Sequence, residues 1–487
     1  MDTKLAKINE LQSVLSNENE TIRGIQQFMQ PFTLGTTLKN YSQIKQKGYK
    51  LTDVLIWLCT IQIMGLSIFQ ATRQELSSLI LCGEKCVYYR LLENPFINWR
   101  GLYRKILLKY YEIVKSKGEE PERQTARCFI IDDTLIEKSG KCIEGITKVW
   151  DHVKHKSVLG LKMLVLGYWD GLNFLGVDFS VHHELGKNNK GGLTKKEQRL
   201  QHKKVRENDS CSQTRKKELD QTKIDSAINM LKRAEKLGLS ADYVLTDSWF
   251  TCIELINVVR NMLKGGVHFL GMVVMNRHKF EYNGKSYTTS GLIAILERKS
   301  SHYSRKFKCR YIDVVVHYQG VEFRLFLIKY GTKGNFKAVL TTNLKLNFIE
   351  MMDIYKIRWS IEVFFKECKQ YLRLGKYQST NFDGQIASLT ITMITHTVLT
   401  LEKRFGSYQT MGELFRETQK LHLESTLWER LNIVIIELIN FIMDLCQIDI
   451  DELMERIINN EQYEKQYNVM LMALMKIKKQ NTCKQAV

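Results

Sequence analysis

The sequence predicts an α/β protein in which a strand-rich central part is flanked by helical regions at both ends. Residues 1–120 have the apolar spacing of helices, and a charged linker around Pro121 follows them. Short apolar runs of strand length then alternate with polar turns, most densely between Gly266 and Asn343. Helical spacing returns at Ile349 and continues from there. This order of segments is typical of a mixed sheet packed against helices.

The composition favours a protein that binds a polyanion. At ~100–200 residues per domain, 487 residues allow two to four domains. Lys and Arg number 72 against 52 Asp and Glu, which gives a formal net charge of +20. Nucleic acid is the first candidate for the partner of so basic a chain. The alternative is a lysine-rich surface that is merely solvated.

The cysteines and the apolar stretches favour a reducing, aqueous compartment. The 11 Cys are scattered without a CxxC pair, and no His lies near Cys82 and Cys86 to complete a zinc set. Free thiols are typical of a reducing compartment. The N-terminal residues lack the apolar core of a signal peptide, and Ala387–Leu401 and Leu431–Cys446 are shorter than a membrane span. We therefore expect a soluble, cytoplasmic protein.

Two segments are candidates for contact with DNA. Residues 72–92 fit two short helices around a turn at 81–84, which suits either a helix-turn-helix motif or a plain helical hairpin. In the motif, the second helix, around Lys85–Arg90, would enter the DNA groove. Residues 187–223 contain 12 Lys and Arg against 5 Asp and Glu. They favour a contact with the DNA backbone over a solvated loop.

Acidic residues follow two buried strands. The apolar run Arg127–Ile131 ends in Asp132 and Asp133, and Tyr243–Thr246 runs into Asp247. Carboxylates at the ends of neighbouring strands can meet at the edge of a sheet, and hard divalent cations prefer such oxygen ligands. Two cations held there can promote attack on a phosphodiester. Because Asp is also a common turn residue, these positions alone do not establish a site.

A third carboxylate lies on a helix predicted over residues 355–369. On an ideal helix, one stripe roughly 60° wide contains Tyr355, Arg358, Glu362 and Lys369. The buried face beside it contains Ile357, Ile361, Phe364, Phe365 and Leu372. A carboxylate flanked by cations suits a metal ligand next to phosphates. By geometry alone, a salt-bridged surface helix with an i,i+4 pair of Arg358 and Glu362 explains the pattern equally well.

The same four residues follow the pattern Y-x2-R-x3-E-x6-K without a gap. This pattern resembles the signature of the insertion-sequence-four family of bacterial DDE transposases. The segment Asp132-Asp133-Thr134 resembles that family's first-Asp motif, and Tyr243–Phe250 resembles its second. The resemblance extends from about Arg127 to Thr400.

Two positions within the resemblance leave alternatives open. On a strand, Asp132 and Asp133 face opposite sides of the sheet, so only one of them can join a site. The family's D-x-T pattern favours Asp132, and Asp133 would then bond to the backbone or to its neighbours. The family often has a small residue two positions after the second Asp, where this chain has Trp249. That ring is a candidate for local packing or for a base contact, as are Tyr311, Tyr318 and Phe323.

The resemblance implies an RNase H-like mixed-sheet catalytic core with a β-rich insertion. The expected regions are a helical DNA-binding region at 1–120, a first part of the core at 126–265, the insertion at 266–343, a second part of the core with the Glu-bearing helix at 344–410, and a helical C-terminal region at 411–487.

The resemblance also implies the chemistry. Asp132, Asp247 and Glu362 would be the catalytic residues and would hold two Mg²⁺ or Mn²⁺ ions for strand cleavage and strand transfer. Arg358 and Lys369 would bind backbone phosphates. Tyr355 would contact the transposon end or serve in packing.

The implied partners are double-stranded DNA, as terminal inverted repeats and target, and a second copy of the chain in a synaptic complex. Two other functions stay open. An RNase H-like nuclease without strand transfer would use the same carboxylates. A domesticated, catalytically idle DNA-binding protein would not need them, and all three acidic positions are intact.

Overall fold

The computed structural model describes residues 24–42, 48–73, 84–118, 125–186, 191–332 and 334–420, and a few single positions further on. Within it, Phe28–Arg404 forms one compact unit. Three features expected from the sequence lie outside the described residues: the turn at 81–83, the linker at 119–124 and most of the stretch Leu431–Cys446. Nearly all of the C-terminal region after the helical residues 411–420 lies outside them as well.

Helices form the described N-terminal part, as expected. They are α1 (Gly24–Met29), α2 (Leu34–Thr37), α3 (Lys39–Ser42), α4 (Leu51–Ile63), α5 (Ile68–Arg73), α6 (Lys85–Leu92) and α7 (Trp99–Ser116), with a 3-10 turn at Gln30–Phe32. Helix α7 begins where the side chain of Asn98 accepts a hydrogen bond from the Gly101 amide at 2.8 Å. Its apolar residues recur at helical spacing and are buried.

Twelve strands form one mixed sheet. They are β1 (Cys128–Glu137), β2 (Thr147–Asp151), β3 (Lys156–Trp169), β4 (Phe174–His182), β5 (Tyr243–Thr246), β6 (His268–Val273), β7 (Lys279–Tyr282), β8 (Lys285–Thr288), β9 (Ser301–Ser304), β10 (Cys309–Tyr318), β11 (Val321–Tyr330) and β12 (Phe336–Thr341). The strand order is β2-β3-β1-β5-β6-β12-β11-β10-β7-β8, with β4 paired to β3 and β9 paired to β10.

The centre of this sheet confirms the predicted fold class. Strands β4, β3 and β1 are antiparallel neighbours, and β1, β5 and β6 are parallel neighbours. Three antiparallel strands followed by two parallel ones form an RNase H-like core. The apolar runs of β1 and β5 are fully buried, as expected for central strands with helices on both faces.

Strand β1 is longer than the sequence suggested. The apolar run stops at Ile131, but the strand continues through both aspartates to Glu137. The reason is its neighbour β3, which pairs with every residue of β1 from Cys128 to Glu137. Asp132 therefore lies within a strand and not in a turn after it.

The strands that follow β6 along the chain extend the same sheet. Strand β12 pairs antiparallel with β6, and β11 and β10 follow in order. The short hairpin of β7 and β8 turns at Asn283 and Gly284, whose φ angles are 48° and 73°. Two successive positive φ angles are the requirement of a tight type I′ turn, which explains the Asn-Gly pair in the sequence.

The remaining helices pack on the sheet, and the last of them come after its final strand in the sequence. They are α8 (Lys195–Leu200), α9 (Cys211–Lys217), α10 (Lys223–Glu235), α11 (Ile253–Asn261), α12 (Thr289–Leu296), α13 (Phe348–Lys356), α14 (Trp359–Gln370) and α15 (Phe382–Phe405). Helix α15 is buried along most of its length. No helix in the described part of the chain combines the length and apolar character needed to cross a bilayer. Each cysteine that the structure describes is a free thiol.

The single helix predicted over residues 355–369 is wrong, because the chain forms two helices there. Helix α13 ends at Lys356 and α14 begins at Trp359. Between them, the amides of Arg358 and Ser360 donate to carbonyls three residues back, at 3.1 and 3.0 Å. Such i→i−3 bonds tighten the chain relative to an α-helix. Tyr355 and Glu362 therefore lie on different helices.

Candidate active site

Asp132 and Asp247 lie side by side on neighbouring parallel strands. Strands β1 and β5 pair in a register that places Ile131 opposite Thr246. The residue after each of these two is an aspartate, Asp132 in β1 and Asp247 directly after β5. Since neighbouring strands are ~4.8 Å apart, the two carboxylates emerge at adjacent positions of the sheet.

A turn and a tyrosine hold Asp247 in place. Its Oδ1 accepts hydrogen bonds from the amides of Trp249 and Phe250, at 2.9 and 3.3 Å. The hydroxyl of Tyr355 donates to the carbonyl oxygen of Thr246 at 3.1 Å, which links α13 to the end of β5. Burial raises the pKa of Tyr355 to about 12, so its hydroxyl remains a donor at neutral pH. Tyr355 therefore contacts the residue that precedes Asp247.

Arg358 connects Glu362 to Asp132. Glu362 lies in the first turn of α14, and its Oε1 accepts a hydrogen bond from Arg358 Nη2 at 2.5 Å. The Nη1 atom of the same guanidinium lies 3.5 Å from Asp132 Oδ2. Helix α14 is anchored to the sheet by Phe364, whose ring centroid lies 5.3 Å from that of Phe174 in β4. The structure thus brings all three predicted acidic residues to the region of the sheet where β5 ends beside β1.

Burial and the charge of neighbouring carboxylates raise the pKa values of both aspartates. Burial raises the pKa of Asp132 to about 7, and the nearby Asp247 carboxylate adds to the effect. Burial likewise raises the pKa of Asp247, against the opposing effect of the amides of Phe250 and Trp249. Arg358 lowers both pKa values. Carboxylates that resist ionisation together are typical of functional sites.

Asp133 has a different environment from Asp132. Its Oδ2 lies 2.5 Å from Lys223 Nζ at the start of α10, and its Oδ1 lies 3.8 Å from Lys162 Nζ in β3. Lys223 also lies over the ring of Trp249, at 4.9 Å from the centroid. Two ammonium groups thus neutralise Asp133 on the sheet face opposite to Asp132.

The three carboxylates offer the oxygen ligands that a divalent cation prefers, but they do not form a preformed cage around one ion. Among the described residues, no three His, Cys, Asp or Glu side chains lie close enough to hold one ion. The guanidinium of Arg358 contacts both Asp132 and Glu362 and supplies the positive charge there. All three side chains offer the hard oxygen atoms that Mg²⁺ and Mn²⁺ prefer. The repulsion between Asp132 and Asp247 is the kind that a cation relieves.

Lys369 lies at the far end of α14, two turns beyond Glu362. Desolvation and the nearby ammonium group of Lys162 lower its pKa. The carboxylates of Asp151 and Asp133 act in the opposite direction. Lys369 is therefore near the sheet edge but belongs to a different group of charges from Arg358.

The aromatic candidates for base contact differ in exposure. Trp249 keeps 51% of its surface exposed beside the carboxylates, with Phe250 packed edge-on at 4.7 Å. In the insertion, Phe323 is fully buried, Tyr311 stacks on Phe348 at 3.7 Å, and Tyr318 bonds to His278 at 2.9 Å. Packing accounts for these three, whereas Trp249 faces solvent.

The sequence reasoning missed Lys223 and Lys162 as neighbours of the acidic pair. Lys223 falls within the basic segment 187–223, for which the sequence favours contact with the DNA backbone. The residue opposite Leu135 in the sheet is Lys162, which is almost fully buried in β3. A lysine in an otherwise apolar strand was the available signal, because such a residue needs a buried acidic partner.

Of the comparisons with known proteins, the match to a family model agrees with the position of two of the three acidic residues. Residues 165–398 match a family model described as a transposase DDE domain. The matched segment contains Asp247 and Glu362 and begins after Asp132. No curated protein matches the chain. A solved structure, the crystal structure of the NurA nuclease from Sulfolobus solfataricus, has a TM-score of 0.22 and 11% identity over 56% of this chain and 85% of that one. A similarity at this level does not identify a function.

Proposed function

We propose that this protein is a DNA transposase that binds the ends of its insertion sequence and carries out metal-dependent DNA cleavage and strand transfer. The observation that carries the proposal is the arrangement of Asp132 and Asp247 on adjacent parallel strands, with Glu362 linked to Asp132 through Arg358. The match of residues 165–398 to the transposase DDE domain supports it.

In the proposed site, Asp132, Asp247 and Glu362 would hold two Mg²⁺ or Mn²⁺ ions. Bound there, such ions activate the attacking oxygen and stabilise the departing one on a phosphodiester. The protein itself keeps the carboxylates in register. The turn after β5 orients Asp247, and the Asp133 amide donates to Asp132 Oδ1 at 2.7 Å.

Arg358 would bind a DNA phosphate in this site. A guanidinium has five N–H donors in a planar fork, and two of its nitrogen atoms already face carboxylates. The remaining donors suit the oxygen atoms of a phosphate beside the scissile bond. Lys369 would make a second backbone contact along α14.

The proposal extends to the flanking regions. Residues 1–120 would bind the terminal inverted repeats, with α6 as the helix offered to DNA, since Lys85 and Arg90 on it are exposed. Residues 411–487 would support a homodimer in the synaptic complex. Both roles rest on the resemblance stated above.

The first experiment uses the purified protein and a labelled duplex that carries the DNA flanking its own gene. Wild type is compared in Mg²⁺ and in EDTA with Glu362→Gln, which removes the charge of one ligand but keeps its size. Glu367→Gln, five residues further along α14, is the matched control. We expect wild type and the control to nick the repeat end and join it to a target plasmid only with metal, and Glu362→Gln to bind without cutting.

Three other outcomes would contradict the proposal at different levels. Cleavage without any joining would identify a nuclease that lacks strand transfer. Equal cleavage by wild type and Glu362→Gln would remove Glu362 from the site. Binding of the duplex by wild type without metal-dependent cleavage would indicate an idle DNA-binding protein.

A further inference from the structure

The hairpin of β2 and the first residues of β3 exposes basic and aromatic side chains. Val149 and Val158 pair across the two strands and are buried, so they anchor one face. Lys148 and Trp150 alternate with Val149 and face solvent, whereas Lys156, opposite Asp151, lies on the same face as Val149 and Val158. Trp150 keeps 43% of its surface exposed.

The tip of this hairpin has a defined conformation. The carboxylate of Asp151 accepts hydrogen bonds from the amides of Val153 and Lys154, at 2.9 and 3.1 Å. Lys154 Nζ lies 2.5 Å from Glu137 at the end of β1, which ties the tip to the strand that contains Asp132. A preorganised hairpin loses little conformational entropy when it binds a partner.

The outer edge of β2 is closed to a further strand. The amide of Lys148 donates to the carbonyl of Gly191 at 2.8 Å, and the amide of Trp150 donates to Glu184 at 3.0 Å. A Cβ at Gly191 would lie 2.3 Å from the Thr147 side chain, so only glycine allows this close approach. Because these edge amides are paired, a partner cannot bind here by strand addition.

Helix α8 places further cations beside the hairpin. It begins with a capping box of Thr194 and Glu197, and Lys195, Lys196 and Arg199 are exposed along it. Just after the helix, Gln201 Nε2 donates to the carbonyl of Ile146 at 2.7 Å and holds the helix against β2. We define the hairpin surface as Lys148, Trp150, Lys195, Lys196 and Arg199.

The hairpin surface lies near the C-terminal end of β1, which is the strand that contains Asp132. Its tip is bonded to Glu137, five residues after Asp132 on β1. Desolvation lowers the pKa of Lys369 on α14, and the Asp151 carboxylate under the tip opposes that shift. The same helix carries Glu362 in its first turn.

We propose that the hairpin surface binds the sugar–phosphate backbone of duplex DNA next to the stretch that enters the carboxylate site. The inference rests on the proposed function and adds a second contact surface to it. Four cations on the hairpin and the helix beside it, together with one exposed tryptophan, complement a row of phosphates. The closed edge of β2 argues against an extended acidic peptide that would pair with the strand.

The test measures binding of a labelled duplex by full-length protein in EDTA, by fluorescence anisotropy at several salt concentrations. The variant Lys148→Gln/Lys195→Gln/Lys196→Gln removes three charges from the hairpin surface. The control Lys232→Gln/Lys236→Gln/Lys264→Gln removes three exposed charges, one in the last turn of α10, one just after α10 and one after α11, on the side of the sheet where β5 and β6 begin. Circular dichroism and thermal unfolding check that both variants fold.

We expect the hairpin variant to bind on the order of tenfold more weakly than wild type. The slope of log K against log salt should fall by about 1 for each phosphate contact removed, and the control should behave like wild type. Equal affinity and slope for wild type and hairpin variant would overturn the inference, and metal-dependent cleavage by wild type would leave the proposed function standing.

Two further results separate this inference from the proposed function. A hairpin variant that loses binding, together with a wild type that never cleaves DNA with Mg²⁺, would support the surface and contradict the enzyme. A polyglutamate peptide that binds wild type as tightly as the duplex, and is equally sensitive to the variant, would overturn DNA as the partner in favour of an acidic protein.

Discussion

Arg358 and Glu362 are joined by a hydrogen bond of 2.5 Å, one helical turn apart at the start of α14. The pair is not an ordinary surface salt bridge, because the Arg358 side chain is only 17% exposed and also lies 3.5 Å from Asp132. One guanidinium therefore compensates two of the three carboxylates. Its loss would leave like charges close together in a half-buried site.

Arg358→Ala should destabilise the protein in EDTA by about 1–3 kcal/mol, because Asp132 and Glu362 lose their shared cation. The measurement is urea unfolding in EDTA and in Mg²⁺. If the carboxylates hold divalent cations, Mg²⁺ should restore more stability to the variant than it adds to wild type. A variant as stable as wild type in EDTA would show that the arginine does not compensate the site.

Removal of the Asp132 charge should stabilise the metal-free protein at alkaline pH. The folded-state pKa of Asp132 is raised from 3.8 to about 7, so the folded protein binds more protons than the unfolded one between these values. Stability is therefore lost as pH rises from about 4 to about 7, and the penalty is complete above 7.

Asp132→Asn should accordingly be more stable than wild type in EDTA at pH 8, on the order of a few kcal/mol. The difference should shrink toward pH 5, and urea unfolding at the two pH values measures it. Asp209→Asn, at an exposed position, serves as the control. A variant that is less stable than wild type at both pH values would contradict the predicted repulsion.

Lys223 and Asp133 provide the means to choose between the two adjacent aspartates. Their ion pair of 2.5 Å, together with Lys162, engages Asp133 on the opposite face of the sheet. We expect Asp132→Asn to lower metal-dependent cleavage roughly a hundredfold or more, and Asp133→Asn to lower it far less. The measurement is the cleavage rate of each variant at saturating Mg²⁺. A larger loss in Asp133→Asn than in Asp132→Asn would show that Asp133, and not Asp132, is the metal ligand on β1.

The fold class could be predicted from the sequence because it depends on local patterns. The buried runs before Asp132 and Asp247 are apolar and of strand length, and the insertion is rich in such runs. Their parallel pairing, with Ile131 opposite Thr246, places the two aspartates together. The pattern indicated the strands, but only the register shows how close the aspartates lie.

Other features depend on contacts that a local pattern does not contain. The break at Arg358 was not visible, because the apolar spacing of Ile361, Phe364 and Phe365 continues smoothly from the helix before it. The pairing of Lys223 with Asp133 joins residues 90 positions apart. The hairpin of β2 and β3 is not evident from the sequence, because β2 spans only five residues and Val149 is flanked by Lys148 and the aromatic Trp150.

A substitution of Tyr355 can decide whether this residue serves in packing or contacts DNA. Its hydroxyl donates to the carbonyl of Thr246, one residue before Asp247, and the ring is half-buried between α13 and β5. Tyr355→Phe should lower stability by about 1 kcal/mol through the lost hydrogen bond. It should slow cleavage through a less fixed Asp247, yet leave the affinity for the duplex unchanged. Since stacking needs only the ring, a large loss of DNA affinity in Tyr355→Phe would instead show that the hydroxyl contacts the transposon end.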